Sequence, residues 1–112
     1  EVIAAGDVVA AKKPAPDIYR WAMAKMDLEA DSCLAIEDSH NGVRSARGAG
    51  IRSVLVSVNG YTENEDFSGA GLVVSHLGGN GDPCRVLSGS MAPATWVDLA
   101  VLRTLHSQCT DL

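Results

Sequence analysis

The sequence predicts an α/β fold, a partial Rossmann-like parallel sheet with helices on both faces. Two short apolar runs, Leu34–Ile36 and Ser53–Val58, are bounded by turn-type residues and have the length of buried strands. The segment between them, Asn41 to Ala49, turns Val43 and Ala46 to one side as a helix would. Strand, helix and strand in that order join parallel neighbours through a right-handed crossover. Two carboxylates, Glu37 and Asp38, follow the first run directly. They therefore fall at the carboxyl end of a strand, where open α/β sheets place ligands.

The remaining elements follow in chain order. Val2 and Ile3 suit β structure, and Gly6-Asp7 ends that run with turn chemistry. The chain starts without a methionine, inside an apolar run, and the expectation is a piece cut from within a strand. Val8 to Lys12 is a connecting loop that delivers Lys13. Pro14 holds Lys13 extended, and Pro16 suits the start of a helix, where its missing N–H costs nothing. A helix from about Pro16 to Met26 places Ile18, Trp21, Ala22 and Met26 on one apolar face, so Trp21 and the methionines are expected in the core. Asp27 to Ser32 is a polar turn before the strand.

Past the central helix, Gly50 is a left-handed stop, and Arg44 and Arg47 fall on the solvated face. Asn59-Gly60 ends the second strand as a turn. Glu63 to Asp66 reads as a solvated helical turn, and Leu72–Val74 as a short third strand. Gly, Pro and Ser crowd residues 78–94, which read as a loop or linker. A last helix is expected from Thr95 to His106, with Thr95 as N-cap and Asp98 three residues on. Its wide stripe of Val97, Ala100, Val101 and Leu105, broadened by Leu99 and Leu102, requires a partner surface in this domain or on another chain. The expected division is 1–77 as core, 78–94 as linker and 95–112 as helix and tail.

Adjacent carboxylates repel, and burying them without a partner is costly. A divalent cation resolves that repulsion, and Mg²⁺ is the usual choice for carboxylate plus phosphate sites. A solvated loop or a helix N-terminal turn would carry the same acidic pair.

The wider pattern is more specific. Lys12-Lys13-Pro14-Ala15-Pro16-Asp17 lies upstream of Glu37-Asp38-Ser39-His40-Asn41-Gly42. Together the two stretches resemble the third and fourth motifs of the haloacid dehalogenase superfamily. The likeness runs from Val2 to Leu77 and is strongest to the CbbY-like and β-phosphoglucomutase-like phosphatases, through Ala5-Gly6-Asp7 and Tyr61-Thr62. The superfamily's nucleophile motif, Asp-x-Asp-Gly-Thr, does not occur in the chain, and neither do the second motif and the cap domain.

The resemblance implies a Mg²⁺-dependent phosphatase, or a phosphomutase, with a phosphorylated small molecule, a sugar phosphate by family analogy, as substrate. It implies Lys13 and Asp38 as catalytic residues, with Lys13 and Ser39 binding phosphate. Glu37 and Asp38 are the implied metal residues, Glu37 acting directly, through water or as support for the shell. The chain is then the C-terminal part of such an enzyme and is inactive alone. The alternative is a non-catalytic scaffold or interaction module of the same fold, although a degraded site would drift and these residues stand in place. In the superfamily the nucleophile's strand lies between the Leu34–Ile36 strand and that of Val2 and Ile3. Its loss is expected to leave an inner edge unpaired, so the missing N-terminal half or a second copy of the chain is the expected partner.

Composition bounds the rest. The 112 residues suffice for one small domain, and 46% hydrophobic residues support a core. A net charge of −5 suggests no nucleic-acid or membrane partner through bulk attraction. Cys33, Cys84 and Cys109 are odd in number and widely spaced, which argues against a disulfide framework or a zinc site. A reducing, cytoplasmic compartment is expected, with an organelle stroma or matrix as the alternative. His40, His76 and His106 lack ligand spacing and read as surface or packing residues.

Overall fold

The computed structural model describes residues 2–4, 16–62, 64–78, 81–89 and 96–110. Lys12, Lys13, Pro14 and Thr95 lie outside them. The strands are β1 (Val2–Ala4), β2 (Cys33–Glu37), β3 (Ser53–Ser57), β4 (Leu72–Val74) and β5 (Val86–Ser88). The α-helices are α1 (Asp17–Met26), α2 (His40–Gly48) and α3 (Leu99–Thr110). The strands form one sheet in the order β1-β2-β3-β4-β5.

β2 and β3 pair in parallel, with Ala35 opposite Val54 and Glu37 opposite Val56, and α2 is the connection between them. β3 and β4 are also parallel. The α/β architecture expected from the two apolar runs is therefore present, with one addition. β5 falls within the stretch expected as loop or linker and pairs antiparallel with β4. Its three side chains are exposed, so it carries no buried alternation to mark it as a strand. A short return loop can supply an antiparallel partner, whereas a parallel one needs a crossover of a dozen residues or more.

β1 pairs in parallel with β2, Val2 opposite Cys33 and Ala4 opposite Ala35. The β2 edge expected to stand open is thus filled by this chain's own first strand. Bare backbone N–H and C=O groups are costly, and a strand within reach satisfies them.

Side-chain alternation divides the core between the two faces. Cys33, Ala35, Val54, Val56 and Val73 face α1 and α2, where they meet Ile18, Tyr19, Val43 and Ala46. Leu34, Leu55, Leu72 and Val74 face α3 and pack on Val101, Leu102 and Leu105. The stripe on α3 thus finds its partner on this chain's own sheet.

Two helices differ from expectation. In α1 the buried pair is Ile18 and Tyr19, while Trp21 is 44% exposed and Met26 is 54% exposed. Lys25 Nζ lies 5.9 Å from the centre of the Trp21 ring. Ile18 and Ala22 could centre a face that widens either way. The flank carrying Tyr19 is the one turned inward, because a polar partner waits there. α3 starts at Leu99, because Asp98 accepts the Val101 N–H at 2.9 Å and makes the better cap. Before it, Val97 N–H donates to Leu77 O at 2.7 Å, which holds that segment extended beside residue 77.

α2 ends as expected. Gly50 has φ +91°, and Gly50 N–H donates to Arg47 O at 2.9 Å. No helix among the described residues is long and apolar enough to cross a membrane.

Candidate active site

β2 runs into α2 through Asp38 and Ser39, and strand alternation sends the two acids to different places. Glu37 is the last strand residue and shares the face of Cys33 and Ala35, so its side chain lies under α1 and α2 and is 4% exposed. Asp38 is one residue further on, past the sheet edge, and is exposed. The pair read together in the sequence is therefore one buried and one solvated carboxylate.

Among the described residues, Glu37 is held from two sides. The Tyr19 hydroxyl, itself fully buried, donates a hydrogen bond to Glu37 Oε2. Burial raises the Tyr19 pKa well above the ordinary phenol range, and the Glu37 bond and charge raise it further, so the hydroxyl remains a donor. On the other side the carboxylate fills the space beside Gly42 in the first turn of α2. A Cβ at that position would overlap Glu37 Oε1 and Cδ. Glycine is required there for room, not for its backbone angles.

Ser39 is the N-cap of α2. Its backbone is extended, and its Oγ accepts the Gly42 N–H at 3.1 Å. Ser39 is expected to orient the site through its hydroxyl or its backbone N–H, and the hydroxyl is engaged in shaping the helix N-terminus. That terminus opens at the same sheet edge as Asp38, and its positive dipole end favours anions.

The loop after β3 closes on this edge. Asn59 Nδ2 donates to Asp38 Oδ2 at 3.5 Å, and Asn59 Oδ1 accepts the Tyr61 N–H at 2.8 Å, which sets the amide's orientation. Asn59 N–H donates to Thr62 Oγ1 at 3.1 Å, and Thr62 is buried. Glu65 Oε1 accepts the His40 N–H at 2.7 Å. His40 Nδ1 lies 2.6 Å from Asp66 O, and a carbonyl can only accept, so Nδ1 carries the proton. Hydrogen bonds from the Ser68 hydroxyl and then its N–H hold the Asp66 carboxyl below its ordinary range. These contacts frame a shallow depression of about 450 Å³ lined by Ser39, His40, Asn41, Glu65 and Asp66. Glu63 of the expected helical turn lies outside the described residues; Asn64 is in a turn, Glu65 in a bend and Asp66 in irregular chain, and Glu65 and Asp66 tie the loop to α2.

As hard oxygen donors, Glu37 and Asp38 fit a divalent cation of the Mg²⁺ type, but they do not complete a shell. Among the described residues no group of three or more His, Cys, Asp or Glu side chains is placed to hold a metal. Of the residues singled out by sequence, Glu37, Asp38 and Ser39 come together here, and Lys13 lies outside the described residues. Sequence reading missed Tyr19 and Asn59. Tyr19 adjoins Ile18 on the apolar stripe, and Asn59 was legible only as a turn residue.

A family model described as haloacid dehalogenase-like hydrolase matches residues 1–56. The chain belongs to that family. Relatives named CbbY match it from Cupriavidus necator, at 46% identity over 99 residues, and from Cereibacter sphaeroides, at 54% over 70 residues. These matches cover 87% and 62% of this chain but 37% and 30% of the relatives, so the chain spans about a third of their length. Among solved structures, CbbY from Rhodobacter sphaeroides in complex with phosphate superposes with a TM-score of 0.59 at 46% identity, over 63% of this chain and 31% of that one. A mutant of the same protein, in complex with xylulose-(1,5)-bisphosphate, matches equally well.

Proposed function

We propose that this chain is the C-terminal portion of a Mg²⁺-dependent haloacid dehalogenase-type phosphatase that hydrolyses a phosphate monoester of a sugar. The observation that carries this reading is the placement of Asp38. It is an exposed carboxylate at the carboxyl end of β2, beside the Ser39-capped start of α2, with Glu37 buried directly behind it.

In this reading Asp38 would hold the cation from the exposed side, and Glu37 would act directly, through water or as support for the shell. When bound, Mg²⁺ supplies positive charge against the negative oxygens of the phosphoryl group. Ser39 fixes the first turn of α2, so that backbone N–H groups face the anion. Asn59 restrains the Asp38 carboxylate. Lys13, carried by the Lys-Pro-x-Pro-Asp motif, adds a compact positive charge to the same site. The attacking aspartate belongs to the portion absent from this sequence. The substrate class is supported by the relative crystallised with xylulose-(1,5)-bisphosphate.

A phosphate-release assay on a panel of sugar phosphates and bisphosphates tests this. Residues 1–112 alone should show no turnover above background with Mg²⁺. Joined behind the N-terminal portion of Cereibacter sphaeroides CbbY, the chain should turn substrate over. In that restored enzyme Asp38→Ala and Lys13→Ala should each cost about 3 kcal/mol of transition-state stabilisation. Steady turnover by the chain alone, or full activity in Asp38→Ala, would overturn the assignment. Calorimetry should detect no saturable micromolar Mg²⁺ binding by the isolated chain, because Mg²⁺ requires near-octahedral ligation that two carboxylates cannot supply.

A further inference from the structure

Glu37 and Asp38 adjoin in sequence, yet only Asp38 reaches solvent. A buried carboxylate costs several kcal/mol unless its oxygens are satisfied, so whatever satisfies Glu37 also decides where it sits. One oxygen accepts from the Tyr19 hydroxyl, and the other fills the space that a Cβ at Gly42 would occupy. Tyr19 is on α1, Glu37 ends β2 and Gly42 is in the first turn of α2. Three elements thus meet at one carboxylate, immediately before Asp38 in the chain.

We propose that Tyr19 is a positioning residue for the acidic site, holding the Glu37 carboxylate against the first turn of α2 and thereby fixing the chain on which Asp38 is carried. The proposal deepens the phosphatase reading and rests on it for what the site binds. Groups that orient metal-binding side chains affect metal affinity even though they never touch the ion. Tyr19 has the attributes of such a group. It is fully buried, and its hydroxyl donates to the carboxylate from α1. Gly42 is the complementary half, since its missing side chain makes the space.

Two variants approach the contact from opposite sides. Tyr19→Phe removes one oxygen and keeps the ring in the apolar cluster under α1 and α2. Gly42→Ala inserts a methyl group where the carboxylate lies. In the ¹³C-labelled chain the side-chain carboxyl resonance of Glu37 should move in Tyr19→Phe more than that of any other glutamate. In the restored enzyme the Mg²⁺ concentration for half-maximal activity should rise about tenfold in both variants, while kcat at saturating Mg²⁺ stays within about threefold.

A tyrosine that merely packs would lower thermal stability and leave the Mg²⁺ dependence unchanged. An unmoved Glu37 resonance in Tyr19→Phe, or unchanged Mg²⁺ half-saturation in that variant, overturns the proposal. If Gly42→Ala does not fold, Tyr19→Phe decides alone. If the restored enzyme shows no turnover, the phosphatase reading fails, and the Glu37 resonance still decides whether Tyr19 holds the carboxylate.

Discussion

The two faces of the sheet are built on different terms. The face under α3 is closed by Leu34, Leu55, Leu72 and Val74 against Val101, Leu102 and Leu105, with Ile36, Val97 and the Cys109 thiol at its margin. The face under α1 and α2 buries a comparable set of apolar groups but also takes in Glu37 and the Tyr19 hydroxyl. One strand feeds both. In β2, Leu34 turns to the α3 face, and Cys33, Ala35 and Glu37 turn to the other. Hydrophobic burial is non-directional and tolerates any close packing, so the α3 face can do no more than hold the sheet together. A buried carboxylate demands particular partners at particular atoms, which makes the α1/α2 face the one able to set geometry at the sheet edge.

This contrast can be broken most severely on the apolar side. Leu55 is fully buried between β-sheet and α3. Leu55→Ala should destabilise the chain by about 3 kcal/mol, through lost transfer energy and the cavity left behind. Urea unfolding followed by circular dichroism measures this. The Glu37 carboxyl resonance should stay in place at low urea, since Leu55 turns to the α3 face and Glu37 to the other.

A smaller effect is expected on the polar side. Tyr19→Phe removes a hydrogen bond to a charged acceptor and should cost about 2 kcal/mol. Trp21→Ala two positions on, at an exposed site, should stay within about 0.5 kcal/mol. Equal losses at the two positions would mean that the helix faces the sheet as its hydrophobic spacing first suggested. The Tyr19 bond also sets a direction with pH. Its folded pKa lies above the ordinary value of 10.0, so the folded state retains the proton that the unfolded state releases. The associated stability is complete below pH 10 and falls as pH rises past it. The wild-type chain should therefore lose urea resistance above pH 10 more steeply than Tyr19→Phe does.

The smallest effect tests where the apolar face gains its helix. Asp98→Ala removes the side-chain acceptor for Val101 N–H and should cost about 1 kcal/mol. Thermal melts would register it as a modest fall in midpoint. An unchanged midpoint would return the helix start to Thr95.

The acidic loop and its neighbours were legible because they rest on local rules. Leu34–Ile36 and Leu72–Val74 are short apolar runs between turn residues, and each lies within a strand or coincides with one. Gly50 stops α2 because a left-handed residue is needed at that point. The family resemblance implies Ser39 as a phosphate-binding residue, and its capping of α2 through the Gly42 N–H came only from the structure. β5 was not legible, because three exposed residues carry no periodic signal, and Cys33 adds only its burial-raised thiol to a strand already marked.

The sequence by itself determined the strand–helix–strand unit, the position of Glu37, Asp38 and Ser39 at its carboxyl edge, and the motif order that marks the family. Each depends on residues close together in the chain, where backbone preference and side-chain period act directly. Only the tertiary structure decided that Tyr19 and not Trp21 turns inward, that β1 takes the edge of β2, and that Asn59 reaches Asp38. The Tyr19–Glu37 contact spans 18 residues and the Asn59–Asp38 contact spans 21. Such pairs are chosen by which faces the packed sheet and helices bring together. A buried carboxylate selects its partner from whatever donor that packing presents, and local sequence carries no record of the choice.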